Sequence, residues 1–166
     1  MKIWIIGGCF ILACIAIWFW MRAGWIARRR RQVGMAHPTP APTELGDAVV
    51  ESDLFYVATT VMGDQLDRVA VGGLGFRGRA VVSVHPEGVV LDIAGESPIL
   101  LERAAIQRVD RATWAIDRVV ESDGLIMITW QLGDQLVDTY LRDTIAPAAL
   151  VAAIRELITT TGEKTT

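Results

Sequence analysis

The chain has 166 residues, 52% of them apolar, and a formal net charge of −3. That apolar fraction exceeds the usual range for a soluble domain. Its charge is unevenly split: residues 1–32 carry six basic and no acidic side chains, and the remainder ten basic against nineteen acidic, net −9. A domain this acidic is a poor nucleic-acid binder, because phosphate neutralisation requires clustered Lys and Arg.

Residues 3–21, IWIIGGCFILACIAIWFWM, contain no charged residue. As a helix they would span about 28 Å, close to the bilayer hydrocarbon core. The pattern predicts a transmembrane anchor over residues 1–31. Only Lys2 precedes the apolar run, whereas Arg22, Arg28, Arg29, Arg30 and Arg31 follow it. A cleaved signal peptide has the opposite charge order. Ile11-Leu12-Ala13-Cys14 is a loose lipobox, but the apolar run continues past it through IAIWFW. The trailing arginines predict a single-pass protein of the plasma (inner) membrane, N-terminus outside and following domain cytoplasmic. Trp4 at one end, and Trp18, Trp20 and Trp25 at the other, suit the headgroup boundary. Arg28 to Arg31 should attract anionic lipid, at about 1 kcal/mol each; setting topology alone is an equally open role. Cys9 and Cys14 are five apart, on different faces of a helix, and read as small apolar membrane residues.

Residues 32–53 read as a linker, with Pro38, Pro40 and Pro42 favouring an extended spacer. His37 is taken as a solvated linker residue. From Leu54 to the C-terminus, residues 54–166, the pattern is that of one domain. LFYVATTV, RAVVSV (79–84), GVVLDI (88–93), ILLERAAI (99–106), a stretch around Thr113 to Ile116, GLIMITWQL (124–132) and QLVDTYLR (135–142) read as strands. His85-Pro86-Glu87-Gly88 and Gly133-Asp134 mark two hairpin turns. After Pro147, Leu150, Val151, Ile154, Leu157 and Ile158 form one apolar stripe of helical period, ending near Gly162. No βαβ alternation occurs, which argues against a parallel sheet.

One run tests for chemistry. Residues 71–80, VGGLGFRGRA, contain Gly73-x-Gly75-x-x-Gly78 with Arg77 and Arg79 beside it. A dinucleotide fingerprint must open a helix. Here a strand pattern follows, so the run reads as a loop, and no cofactor is expected. Arg77 and Arg79, with Arg28 to Arg31, are the candidate contacts for anionic lipid. His85 is the only histidine after the linker, and no cysteine follows residue 14. A Ser–His–Asp set using Ser83 or Ser97 stays open as an alternative, but no nucleophile elbow supports it. Metal-ligand spacing is absent. Trp114 and Trp130 read as core. Arg103, Arg108, Arg111 and Arg118, interleaved with Glu102, Asp110 and Asp117, read as a solvated face with ion pairs.

The hairpins RAVVSV-HPEG-VVLDI and GLIMITWQL-GD-QLVDTYLR, with ILLERAAIQRV between them and a helix after them, resemble a bacterial pleckstrin-homology-like (PH-like) domain. Together with the anchor, the chain looks similar to single-span actinobacterial membrane proteins carrying such a domain, some of them generically labelled transporters or export proteins. The resemblance implies a mainly β fold: a transmembrane helix, then a partly open antiparallel β-barrel capped by a C-terminal helix. Eukaryotic relatives bind phosphoinositides through basic residues in the loop joining the first two strands. That loop is expected near HPEG, which holds no Lys or Arg, so the property is not carried over. One span cannot form a solute pathway alone. The expected function is therefore a non-enzymatic interaction or scaffolding module at the inner membrane, with the bilayer and an unidentified membrane-complex protein as partners. The alternative is an accessory subunit of a transport or export complex.

Overall fold

The computed structural model describes residues 14–22, 34–112, 114–115, 118–119, 125–142 and 147–162. The chain divides into two compact units, Met1–Met35 and Ala36–Thr166.

In the first unit, residues 14–22 are helical (α1). Every side chain of α1 is exposed, including Ile15, Ile17, Trp18, Phe19, Trp20 and Met21. Trp18 and Phe19 meet edge to face, with centroids 5.1 Å apart. The Arg22 guanidinium sits 5.8 Å from the Trp18 ring centroid, within cation–π range. Among the described residues no helix is long and apolar enough to cross a membrane. Residues 3–13 of the expected span lie outside the described residues, as do Lys2, Trp4, Cys9, Trp25 and Arg28 to Arg31.

The second unit is antiparallel β followed by one helix. Its strands are β1 (Thr39–Pro40), β2 (Val50–Val61), β3 (Asp64–Arg68), β4 (Gly78–His85), β5 (Gly88–Ile93), β6 (Ile99–Glu102), β7 (Ile106–Ala112), β8 (Trp114–Ala115), β9 (Arg118–Val119), β10 (Leu125–Leu132) and β11 (Gln135–Arg142). The helix is α2 (Pro147–Gly162), starting and stopping where the sequence places its Pro and Gly. The main sheet runs β1-β6-β5-β4-β2-β11-β10-β7, with β3 on β2; β8 and β9 pair separately.

β2 holds the sheet together because it is long enough to serve both halves. Residues Val50 to Tyr56 pair with β4, and Phe55 to Val61 pair with β11. Val57 is skipped in the β11 register, which passes from Tyr140↔Ala58 to Leu141↔Tyr56. This β-bulge bends the strand where it leaves one half for the other. A second register shift, between β10 and β7 at Thr129/Trp130, bends the opposite edge.

β6, which carries only the two-residue β1 on its outer side, and β7 at the opposite edge are joined by a 3-10 turn, Arg103–Ala105. The sequence reads residues 99–106 as one strand. The backbone instead turns after Glu102, and Arg103 N–H bonds to the Glu87 carbonyl at 2.9 Å. That turn carries the chain from one edge to the other. α2 packs against β7, β2, β4 and this turn. Its stripe is buried: Leu150 and Ile154 are fully enclosed, and Val151 and Leu157 nearly so. Each such side chain is worth about 1.5–3 kcal/mol of burial, so the stripe holds the helix against these elements.

β2 starts at Val50, four residues before Leu54, because Val50 already pairs with Val84. Residues 36–49, expected as spacer, form a strap along the sheet edge. Thr39 pairs with Leu100 and Pro40 with Ile99. Ala41 N–H bonds to the Pro98 carbonyl at 2.9 Å, and Val49 N–H to the Val84 carbonyl at 2.8 Å. Pro38 is buried.

A candidate interaction surface

The glycine run occupies the connection between β3 and β4. It opens no helix, as the strand pattern after it requires. Gly72 and Gly73 both take positive φ, +58° and +85°, a region where side chains with a Cβ are disfavoured. These two residues turn the loop inward, so that Leu74 is fully buried, as is Val69 before it. The loop thus adds Leu74 to the buried core, while α2 packs against β7, β2, β4 and the 3-10 turn.

A buried polar chain fixes this plug. The Tyr56 hydroxyl lies 2.9 Å from the Leu74 carbonyl and 2.9 Å from Thr59 Oγ1. Tyrosine has one proton, and the carbonyl can only accept, so the proton goes to Leu74 and the Thr59 hydroxyl donates to the tyrosine oxygen. Thr59 Oγ1 and Thr139 Oγ1 are 2.8 Å apart, and Trp130 Nε1–H donates to Thr139 at 2.8 Å. The sequence offers no signal for this network, because its members lie on β2, β10, β11 and the loop. Burial pushes the Tyr56 hydroxyl up to about 12, against smaller opposing effects of Thr59 and Arg68. Burial and the Asp138 carboxylate also raise Tyr140.

The outer face carries the basic candidates. Arg79 is exposed on β4 and lies opposite Phe55 of β2; Phe55 in turn lies opposite Arg142 of β11. Phe55 is partly exposed, and Phe76, beside Arg77, is 76% exposed. Arg77 is exposed in the loop. The fold therefore places Arg77 and Arg79 beside exposed aromatic surface. Phe55 and Arg142, on the same outward row as Arg79, were not singled out from sequence; their period-2 outward positions were the available signal. Arg28 to Arg31 lie outside the described residues.

His85 has a structural bond on each ring nitrogen. Nδ1 is 2.6 Å from the Gly46 carbonyl, and Nε2 is 2.9 Å from Ser83 Oγ. A carbonyl cannot donate, so Nδ1 carries the proton and the Ser83 hydroxyl donates to Nε2. The structure brings Ser83 and His85 together, but the third partner is the strap backbone rather than a carboxylate. Ser97 lies in the separate β5–β6 connection. Among the described residues no group of three or more His, Cys, Asp or Glu could hold a metal ion.

Trp130 is buried at 2% exposure; Trp114 lies on β8. Within the interleaved charges, Arg108 Nε meets Asp110 at 3.5 Å and donates to Thr129 at 3.1 Å. Both charged side chains of that pair are about half exposed, so it contributes little to stability.

An antiparallel open sheet, bent through one long shared strand and closed by a C-terminal helix, matches a known family over residues 35–155, that of bacterial PH domain-like proteins. The chain belongs to this family. No curated protein matches it. Of the long strands, β2 and β4 come first in the chain. The loop joining them is residues 62–77, containing β3, Arg68 and Arg77, and not HPEG. HPEG makes the next turn, β4 to β5, closed by His85↔Gly88. The expected position differs because β3, a short and charged strand, is hard to see in DQLDR, and the glycine run after it read only as a loop. The match begins at residue 35, so the PH-like domain takes in the strap as well as the strands.

Proposed function

We propose that this chain is a non-enzymatic interaction or scaffolding module held at the inner membrane by its N-terminal segment. A PH-like domain of this form supports an interaction role: Leu74 and the α2 stripe are buried in its core, leaving the outer surface for recognition. The observation that carries the membrane part is α1. Its apolar and aromatic side chains are exposed all round, and a helix apolar on every face requires an apolar surrounding. It continues an uncharged run from residue 3, ends at Arg22 and is followed in sequence by Arg28 to Arg31. The basic flank orients the N-terminus outside and the PH-like domain in the cytoplasm.

Arg77 and Arg79, next to exposed Phe76 and Phe55, are our proposed contacts for anionic headgroups, alongside Arg28 to Arg31. A reporter fused after residue 166 tests the topology. Activity of a cytoplasm-specific reporter is expected, and activity only of a periplasm-specific one overturns the reading. Purification in mild detergent tests the partner: a co-purifying multispan protein would direct the role to that of an accessory subunit.

A further inference from the structure

The two ends of the main sheet are finished differently. At one end β6 is covered by β1, where Pro40, with Pro38 and Pro42 beside it, offers no N–H to a further strand. At the other end β7 pairs with β10 alone, and it contains no proline. In an antiparallel pair, alternate residues aim N–H and C=O away from the partner strand. Among the described residues no other strand, turn or loop backbone bonds to those groups of β7. The irregularity at Gln107, skipped where the register passes from Thr129↔Arg108 to Trp130↔Ile106, lies at the start of the strand. Arg108 to Ala112 therefore present a regular open edge, and such an edge is a template for another strand.

The charges on that edge select its partner. Arg108 and Asp110 share one face of β7 and meet at 3.5 Å, each side chain about half exposed. Two copies joined edge to edge about a two-fold axis form one continuous antiparallel sheet. Facing residues then share a face, so the axis passes through a residue position rather than between two. Centred on Arg108, the axis sets arginine against arginine. Centred on Asp110, it sets aspartate against aspartate. Centred on Val109, it sets Arg108 of each copy against Asp110 of the other. In that register the arginines and aspartates alternate around the axis, each beside its own chain's opposite charge and facing another. Opposite charges across a strand pair stabilise it and like charges destabilise it. The edge is thus complementary to itself in one register and repels itself in the registers on either side. We propose that the partner of β7 is β7 of a second copy, antiparallel and centred on Val109, giving an isologous dimer. The inference does not rest on the membrane anchor or on the lipid contacts, since it uses β7 and its neighbours alone.

The test uses the whole chain in mild detergent. Asp110→Arg makes the edge wholly basic at these two positions, and Arg108→Asp makes it wholly acidic; both lose the pair within the chain. Light scattering should give a dimer for the parent, weakened by salt, and a dimer fraction lower by roughly an order of magnitude for either variant alone. Mixing the two variants should restore the dimer, because each arginine then faces an aspartate of the other species. A monomer mass for the parent at every concentration overturns the proposal. So does a dimer that either variant alone retains, or one that the mixture fails to restore while both variants melt as the parent does. Cysteine pairing decides if a charge variant does not fold. With Cys9→Ala and Cys14→Ala throughout, one population carries Arg108→Cys and the other Asp110→Cys. Facing Cα atoms about 4.5–5.5 Å apart suit a disulfide, so mild oxidation of the mixture should link the two species at several times the yield of either alone. Equal yields, or linkage to an unrelated protein in place of the second species, overturn the proposal.

Discussion

Tyr56 and Leu74 are tied by a 2.9 Å hydrogen bond between a buried hydroxyl and a buried loop carbonyl. The bond joins the strand shared by both sheet halves to the loop that brings Leu74 into the core. Removing the hydroxyl leaves that carbonyl dry and unpaired. Tyr56→Phe should therefore destabilise the domain by about 1–3 kcal/mol. Urea unfolding should show a lower midpoint at an unchanged slope; an unchanged midpoint would mean that water or a rearranged loop replaces the bond.

Alkaline pH should weaken the fold through the same side chain. Tyr56 sits at about 12 instead of 10.0, so the folded state favours the neutral phenol. The associated stability is fully present below pH 10 and is lost as pH rises from 10 through 12, at about 2–3 kcal/mol in all. Melting temperature followed across that window should fall in the parent, and fall less steeply in Tyr56→Phe. The chain has only two tyrosines, and Tyr140 is also raised. Phenolate absorbance should therefore rise above the ordinary tyrosine range, and only as the domain unfolds. A normal titration in the folded chain would refute the burial argument.

Two glycines should separate conformation from crowding. Gly63 has φ +85° with nothing near its missing Cβ, whereas Gly72 has φ +58° and Pro38 against it. Gly63→Ala should cost about 1–2 kcal/mol, the left-handed penalty alone. Gly72→Ala should cost clearly more and raise proteolysis within residues 36–49. Equal losses in thermal stability would show that the strap yields freely at Pro38.

Arg77→Ala together with Arg79→Ala should weaken binding of the PH-like domain to anionic vesicles by roughly 10- to 30-fold, at about 1 kcal/mol per arginine near the surface. Neutral vesicles should show no such difference. Co-sedimentation at two ionic strengths measures both, and unchanged binding to anionic vesicles would remove these residues from the surface.

Much of the sheet can be read along the chain. GVVLDI and QLVDTYLR match β5 and β11 residue for residue, because β-branched runs end at His85-Pro86 and Gly133-Asp134 turns. α2 is equally legible from Pro147 and its apolar stripe. The short elements are not. β3 is DQLDR, charged and paired with β2 at only two positions. β1 is a threonine and a proline, and its strand character exists only against β6. The surface is harder still. Leu74 is buried because Tyr56 and Thr59 are placed to receive its loop, and Thr59 meets Thr139 across 80 residues. Neither fact has a local pattern. His85 and Ser83 are two apart on one strand and so share a face, but the Gly46 carbonyl comes from 39 residues upstream.

The burial of Leu74 and of the α2 stripe has a consequence for how the surface of such a domain can change. Its interior is committed to folding, so inner-face positions such as Tyr56, Thr59, Thr139 and Trp130 are constrained together and drift slowly as a set. The outward row of Arg79, Phe55 and Arg142 is bound by no such set. A lineage can rewrite that row one residue at a time without touching the packing beneath it. Grafting the outer-face residues of one bacterial PH-like domain onto another should then move partner choice while leaving the melting temperature where it was.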